Sequence, residues 1–329
     1  MQNKKTVRWA ILGPGKIAHK FAQDFQQTTG GELVAVASRD KERAARFASQ
    51  YDIKQVLSYD ELYVHPDIDA VYVATPHAFH FEQTKACLQH GKGVLCEKPV
   101  TINDTQLREL IAIAQSQQVF LMEGLWSFFM PALQQAKAWV DEGRIGDVKM
   151  ITADFGYRMA FDPENRIYNA HLAGGALLDL GIYPIAFSTY VMNAKPDRIA
   201  ANAIMSETHI DETTAISLFY GKTTAVLHTT VLANTLNTGY IIGEAGYIEL
   251  PFFYKASSCT LYNQERMELD SFEASRPTYG YDYEIQEATN CIREGKTESP
   301  VVPHQRSLEI QAIMTEVRRQ IGLIYPMEK

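Results

Sequence analysis

Short apolar runs and amphipathic stretches alternate along the first third of the chain. Thr6–Leu12 (TVRWAIL), Glu32–Ser38 (ELVAVAS), Asp69–Ala74 (DAVYVA), Gly93–Cys96 (GVLC) and Val119–Glu123 (VFLME) are rich in apolar and β-branched residues. Short runs of this kind predict buried strands. Lys16–Thr28, Lys41–Tyr51, His80–His90 and Asp104–Gln115 lie between them and predict helices. Strands alternating with helices imply right-handed βαβ crossovers and a parallel sheet.

The pattern changes after Glu123. Pro131–Glu142 predicts a helix, ended by Gly143. Lys149–Phe155, Arg198–Met205, Thr213–Tyr220, Thr223–Leu232 and Gly239–Leu250 then predict strands with few helices between them. Sequential strands with short turns favour a largely antiparallel sheet. Gly174–Met192 and Gln305–Ile321 predict two long helices. The expected fold class is therefore α/β: a doubly wound parallel-sheet domain over residues 1–124, then an α+β domain over 125–329. No Pro/Ser/Gly-rich linker separates them, and no repeat is found.

Composition narrows the possibilities. The 329 residues carry a formal net charge of -8, which argues against a basic nucleic-acid-binding face. Cys87, Cys96, Cys259 and Cys291 are scattered without metal-ligand spacing and are expected to be reduced, mostly buried thiols. Met1–Lys5 is polar, without the features of a signal peptide, and no apolar run approaches the roughly 18 residues of a membrane span. A cytoplasmic protein with no membrane partner is the expectation.

The first strand runs into Gly13-Pro-Gly15-Lys16-Ile17-Ala18, a G-x-G-x-x-A pattern. Gly13 permits a tight turn, Gly15 lets backbone approach a pyrophosphate, and Ala18 allows close helix–sheet packing. A strand before and a helix after are the context that gives this motif weight, and a Rossmann domain is expected. An NAD site usually places Asp or Glu at the end of the second strand. This chain has Ser38-Arg39 there, with Arg43 one turn later. Arg grips a 2′-phosphate that an acid would repel, so NADP is favoured over NAD. Asp40, next in the chain, keeps the NAD alternative open.

Two segments carry candidate chemistry. The strand Gly93–Cys96 delivers Glu97-Lys98-Pro99 to its C-terminal end, where open α/β sheets bind ligands. Pro99 restricts Lys98; a strand-capping ion pair is the plainer reading of the same residues. In Gly174–Pro184 (GGALLDLGIYP), Asp179 and Tyr183 are four apart and share a helical face. Pro184 cannot donate to the Leu180 carbonyl, which distorts the helix beside Tyr183. A buried Asp–Tyr hydrogen bond is the structural alternative for this pair.

The motifs together resemble the Gfo/Idh/MocA family of NAD(P)-dependent oxidoreductases over nearly the whole chain. The matching segments are Ile11–Ala18, Val34–Arg39, Ala74–His80 (ATPHAFH), Leu95–Pro99 (LCEKP) and Gly174–Pro184. Ser299–Pro303 (SPVVP) and Glu316–Pro326 (EVRRQIGLIYP) resemble its dimeric dihydrodiol dehydrogenase group, which includes NADP-dependent D-xylose 1-dehydrogenases. The resemblance implies an open, mostly antiparallel C-terminal sheet that forms a homodimer. It implies Lys98, Asp179 and Tyr183 as the catalytic group, with Tyr183 as acid/base. It implies a cofactor set of Gly13, Gly15, Lys16, Ile17, Ser38, Arg39, Arg43, Thr75, Pro76, His77, His80, Glu97 and Lys98. Trp126, Arg166, Asp179 and Tyr183 are implied to meet a small carbohydrate or diol substrate, with Arg158, Tyr168 and Asn169 as further loop candidates. No metal is implied. Relatives typically carry Arg where this chain has Phe128, which implies a more apolar pocket.

The chemistry is consistent with that assignment. Oxidising an alcohol needs a hydride acceptor and a base for the hydroxyl proton. Free tyrosine has a pKa of about 10, and a nearby ammonium favours its phenolate. Two other readings compete: transient use of the nicotinamide for glycoside cleavage, and a non-catalytic dinucleotide-binding regulator. The joint presence of Lys98, Asp179 and Tyr183 weighs against the regulator.

Overall fold

The computed structural model describes residues 6–328; Met1–Lys5 lies outside them. The chain forms two compact units. One comprises residues 6–126 with Pro277–Leu308; the other comprises Ser127–Arg276 with residues 309–328.

The first unit is built on six strands: β1 (Val7–Leu12), β2 (Gly31–Ala37), β3 (Gln55–Leu57), β4 (Ala70–Val73), β5 (Gly93–Glu97) and β6 (Leu121–Gly124). They pair in the order β3-β2-β1-β4-β5-β6, every pair parallel. This is the doubly wound Rossmann order, with its switch point between β1 and β4. Its helices are α1 (Lys16–Phe25), α2 (Lys41–Tyr51), α3 (Tyr59–Val64), α4 (His80–Gln89) and α5 (Asp104–Gln117). Leu12, Val73, Val94 and Cys96 project from one sheet face into a core with Leu88 of α4 and Leu107 and Leu110 of α5. Burying each large apolar side chain contributes roughly 1.5–3 kcal/mol.

The other sheet face explains why Pro277–Leu308 joins this unit rather than following the second-domain range of the sequence reading. Trp9 packs edge-on against Phe21 and Phe25 of α1, and its Nε1–H donates to Thr289 Oγ1 at 3.2 Å. Thr289 lies on α8 (Tyr281–Arg293), a helix the sequence pattern did not single out. Asp24 on α1 accepts the backbone N–H groups of Tyr279, Gly280 and Tyr281 at 2.9–3.1 Å. That carboxylate serves the orphan amides at the start of α8.

The second unit contains α6 (Pro131–Asp141), β7 (Val148–Gly156), α7 (Ile182–Met192), β8 (Arg198–Met205), β9 (Asp211–Tyr220), β10 (Thr223–Thr230), β11 (Thr238–Gly243), β12 (Gly246–Pro251), β13 (Ser258–Asn263) and β14 (Glu268–Glu273). The eight strands run β14-β13-β12-β11-β7-β10-β9-β8. Only β7 and β10 pair in parallel. The division between units falls within the last helix, α9 (His304–Ile321).

Several expectations need correcting. Gly239–Leu250 is not one strand but the β11–β12 hairpin, turning at Glu244-Ala245. The turn lacks an Asn-Gly or Asp-Gly signal, and both arms are apolar, so the run read as continuous. β3, α3, β13 and β14 were not anticipated because they are short or polar. Ala170–Met192 reaches the length and mean hydropathy (1.3) of a membrane span, contrary to the sequence estimate; 83% of its most apolar window is buried, so it is a core segment. All four cysteines are free and buried.

Candidate active site

The dinucleotide end of the first unit is shaped by the β1–α1 turn. Gly13 adopts φ +95°, and a Cβ there would stand 2.7 Å from Thr75 Cγ2. Gly15 caps α1 with no side-chain hydrogen bond, which leaves the first helical amides for an external acceptor. Backbone amides at an uncapped helix start are suited to a pyrophosphate.

At the end of β2, Ser38 is buried, with its Oγ accepting Asp40 N–H at 3.1 Å. Asp40 caps α2 by accepting Arg43 N–H at 2.9 Å. That bond and the Arg43 charge hold its carboxyl below the usual range. Arg43 Nε lies 3.7 Å from Asp40, both side chains well exposed. The Arg39 guanidinium sits 5.3 Å from the Phe79 ring centre. The acid that kept NAD open in the sequence thus caps α2 through one oxygen, with the Arg43 guanidinium beside it.

The loop after β4 is pinned from beneath. His80 is wholly buried; its Nδ1 lies 2.8 Å from the Pro99 carbonyl and its Nε2 2.7 Å from that of Thr75. It therefore ties the Thr75–His77 loop to the Lys98-Pro99 step. His77 is buried with its ring 5.7 Å from that of His80. Thr75 Oγ1 donates to Gln83 at 2.5 Å. Lys98 is half-buried at the end of β5.

Carboxyl groups collect behind Lys98, and sequence reasoning caught only one of them. Glu97 is buried and accepts Tyr72 O–H at 2.5 Å. Glu123 accepts Val100 N–H at 3.0 Å, and burial pushes it up to about 7. Glu284 on α8 is wholly buried with no hydrogen-bond partner on either oxygen; burial and the charges of Glu97 and Asp24 push it well above the usual carboxylate range. Trp126 is buried and stacked on Tyr281, ring centres 5.0 Å apart.

In the second unit, the expected distortion of the Gly174–Met192 run is a π-helical turn over Leu177–Gly181, immediately before α7. A widened turn makes room for the Pro184 ring, which cannot donate to the Leu180 carbonyl. Asp179 lies on this turn, its side chain 5% exposed, gripped by Arg166 at 3.0–3.2 Å. Arg166 is 47% exposed, so it links the buried acid to solvent. Tyr183, 7% exposed, stands edge-on to Phe155 at 5.4 Å and to Tyr254 at 5.8 Å. Phe155 and Tyr254 stack on each other at 4.1 Å. The sequence pattern gave no reason to link these two rings to Tyr183.

Three loop and pocket expectations change. Tyr168 is wholly buried and donates to the Met159 carbonyl at 3.2 Å, and Asn169 Oδ1 accepts His171 N–H at 2.9 Å; both shape the loop. Phe128 is a core residue packed on Tyr190 at 4.8 Å; the apolar wall beside Tyr183 comes from Phe155 and Tyr254 instead. Among the described residues, no group of three His, Cys, Asp or Glu is placed to hold a metal ion.

Residues 7–125 match the model of an oxidoreductase family with an NAD-binding Rossmann fold, and 133–249 match the GFO/IDH/MocA C-terminal domain. The chain belongs to the Gfo/Idh/MocA family. It is an NAD(P)-dependent oxidoreductase. It is 38% identical to the trans-1,2-dihydrobenzene-1,2-diol dehydrogenase of Xenopus laevis, over 97% of this chain and 99% of that one. The human protein of the same name is 33% identical, over 98% and 99%. Among solved structures, a 3-ketoreductase from Actinomadura kijaniata in complex with NADP and TDP-benzene superposes with a TM-score of 0.88 at 26% identity, covering 96% of this chain and 98% of that one.

Proposed function

We propose that this oxidoreductase transfers hydride between NADP(H) and a CH–OH or C=O group of a cyclic vicinal diol or sugar. Tyr183 is the acid/base, supported by Lys98 and Asp179. The observation that carries this reading is the seat of Tyr183. Its phenol rises from the first turn of α7 beside two aromatic rings, one turn from a carboxylate held by Arg166. An aromatic surround favours an apolar ring as substrate, in keeping with the names of the full-length relatives.

Gly13, Gly15, Lys16 and Ile17 would hold the pyrophosphate, and Ser38, Arg39 and Arg43 the adenosine 2′-phosphate. Thr75, Pro76, His77, His80 and Glu97 would frame the nicotinamide half. The cofactor, when bound, supplies the hydride acceptor. Tyr183 takes the hydroxyl proton, the Lys98 ammonium favours the phenolate, and Asp179 orients the reacting hydroxyl. Trp126 and Arg166 complete the substrate contacts. NADP is preferred because Asp40 caps α2 instead of offering its carboxylate to a ribose.

We further expect a cytoplasmic homodimer. The free, buried cysteines suit a reducing compartment. Met150 and Val226 leave apolar side chains exposed on β7 and β10 at the centre of the sheet, which a second copy would cover. Light scattering that returned the mass of one chain would sink the dimer.

The deciding assay follows NADPH absorbance with trans-cyclic diols and aldoses as substrates, alongside product analysis. NADPH formation with one class supports the dehydrogenase. Cleaved glycoside without net NADPH would instead support nicotinamide-assisted cleavage, and tight cofactor binding with no turnover the regulator.

A further inference from the structure

We propose that the segment after α9 is a latch that holds the Asp179–Tyr183 turn in register, with Tyr325 as its positioning residue. This inference rests on the assignment of Asp179 and Tyr183 given above.

Tyr325 is wholly buried and its O–H donates to the Gly174 carbonyl at 2.6 Å. The tyrosine is itself clamped. The Arg318 guanidinium lies over its ring at 4.5 Å and donates to the Leu323 carbonyl at 3.3 Å. Arg318 also pairs with Glu328, whose carboxylate accepts Tyr325 N–H at 3.1 Å. Arg318 is 5% exposed, so the pair is well shielded from solvent and its direction counts. The stretch from Arg318 to Glu328 thus closes around one phenol and aims it.

The target is the hinge between the Arg166 loop and the catalytic turn. Gly174 N–H donates to Asn169 O at 3.1 Å, and Gly175 N–H to Ile167 O at 2.8 Å. A Cβ on Gly174 would strike the Arg166 and Ile167 carbonyls, so backbone lies directly on backbone. Downstream, buried Asp211 accepts Leu177 N–H at 2.7 Å and Thr214 O–H at 2.7 Å. Its other oxygen is unpartnered and faces Gly175, whose φ is +116°. The strip from Arg166 to Asp179 is therefore pinned by its own loop, by β9 and by the chain end. A shift of the Gly174 carbonyl moves the Arg166 backbone and the turn together, and with them the 3.0 Å Arg166–Asp179 contact.

Satisfying a buried carbonyl is a need of any core, so stability alone does not separate a latch from ordinary packing. The separation lies in where the effect falls. Tyr325→Phe keeps the ring under Arg318 and removes only the hydroxyl. In the full chain it is expected to speed amide hydrogen exchange across 166–183 about tenfold, with other regions unchanged. It should lower kcat about tenfold, the upper end for one neutral hydrogen bond, and leave NADP affinity as in the parent. Glu328→Gln, which loosens the clamp, should shift both readouts in the same direction by less. Parent-like kcat together with parent-like exchange in Tyr325→Phe would overturn the latch. So would a loss of protection spread evenly over the chain, which marks a stability residue only. Should the parent oxidise none of the substrates tried, the dehydrogenase assignment falls, and the exchange across 166–183 alone decides the latch.

Discussion

Two helix starts, both opened by glycines, do opposite work in this molecule. The β1–α1 turn leaves its amides without a side-chain cap. The turn before α7 has its Leu177 amide capped by the buried carboxylate of Asp211. A helix N-terminus attracts negative charge in either case. At α1 the amides are left open to an external acceptor; at Leu177 the protein provides the acceptor itself. A glycine-rich helix start is thus not in itself an anion site, and the group that meets its amides decides. The first start suits a phosphate, and the second suits holding Asp179 and Tyr183 still.

This contrast can be broken most directly at Tyr183. Tyr183→Phe should lower kcat by about 10²-fold or more, with NADP affinity by fluorescence titration unchanged. A loss of cofactor affinity in that variant would mean that the two regions do not divide the work. Gly13→Ala should have the reverse signature. Its Cβ would stand 2.7 Å from Thr75 Cγ2 in a backbone conformation that L side chains avoid. Affinity for NADP and NAD should fall together by about tenfold or more, since strain of this kind costs of order 1–3 kcal/mol.

Arg43→Ala sharpens the first region further. It should weaken NADP about tenfold and leave NAD almost untouched, because only NADP carries the 2′-phosphate. Equal affinity of the parent for both cofactors would defeat the NADP preference.

The smallest effect is a pH dependence of stability. Burial raises Asp211 and Glu123 to about 7, above the roughly 4 of an unfolded chain. Each is then more readily protonated in the folded state. The associated stability is complete below about pH 4 and is lost as pH rises through 7. Between pH 6 and 8 each group should cost about 1.4 kcal/mol, so Tm should fall over that interval. Asp211→Asn and Glu123→Gln should each flatten the Tm profile; a profile as steep as the parent's would refute the linkage.

Much of the first unit was legible because it is locally coded. Apolar runs of four to seven residues, a glycine turn and amphipathic helices lie in sequence order, and each strand is followed by what covers it. α8 escaped notice because its role depends on Asp24 and Trp9, more than 250 positions away. The Asp179–Tyr183 spacing was visible, and so was the disturbance that Pro184 brings. The partners were not. Arg166 reaches Asp179 from a loop, while Phe155 and Tyr254 come to Tyr183 from two parts of the second unit. Tyr168 and Asn169 read as candidates for substrate contact because polarity marks a loop without saying which atoms its own backbone consumes.

By itself, the sequence determined the strand–helix alternation, the dinucleotide turn and the candidate chemistry of Lys98, Asp179 and Tyr183. Each depends on periodicity, glycine freedom or residue type within a few positions. The tertiary structure alone decided that Asp40 is a helix cap, that Arg166 belongs to Asp179, that Glu284 is wholly buried and that the chain end grips Gly174. The reason is physical. Hydrogen bonds and ion pairs are made by whichever groups the fold brings within about 3 Å, and sequence separation imposes no preference on that.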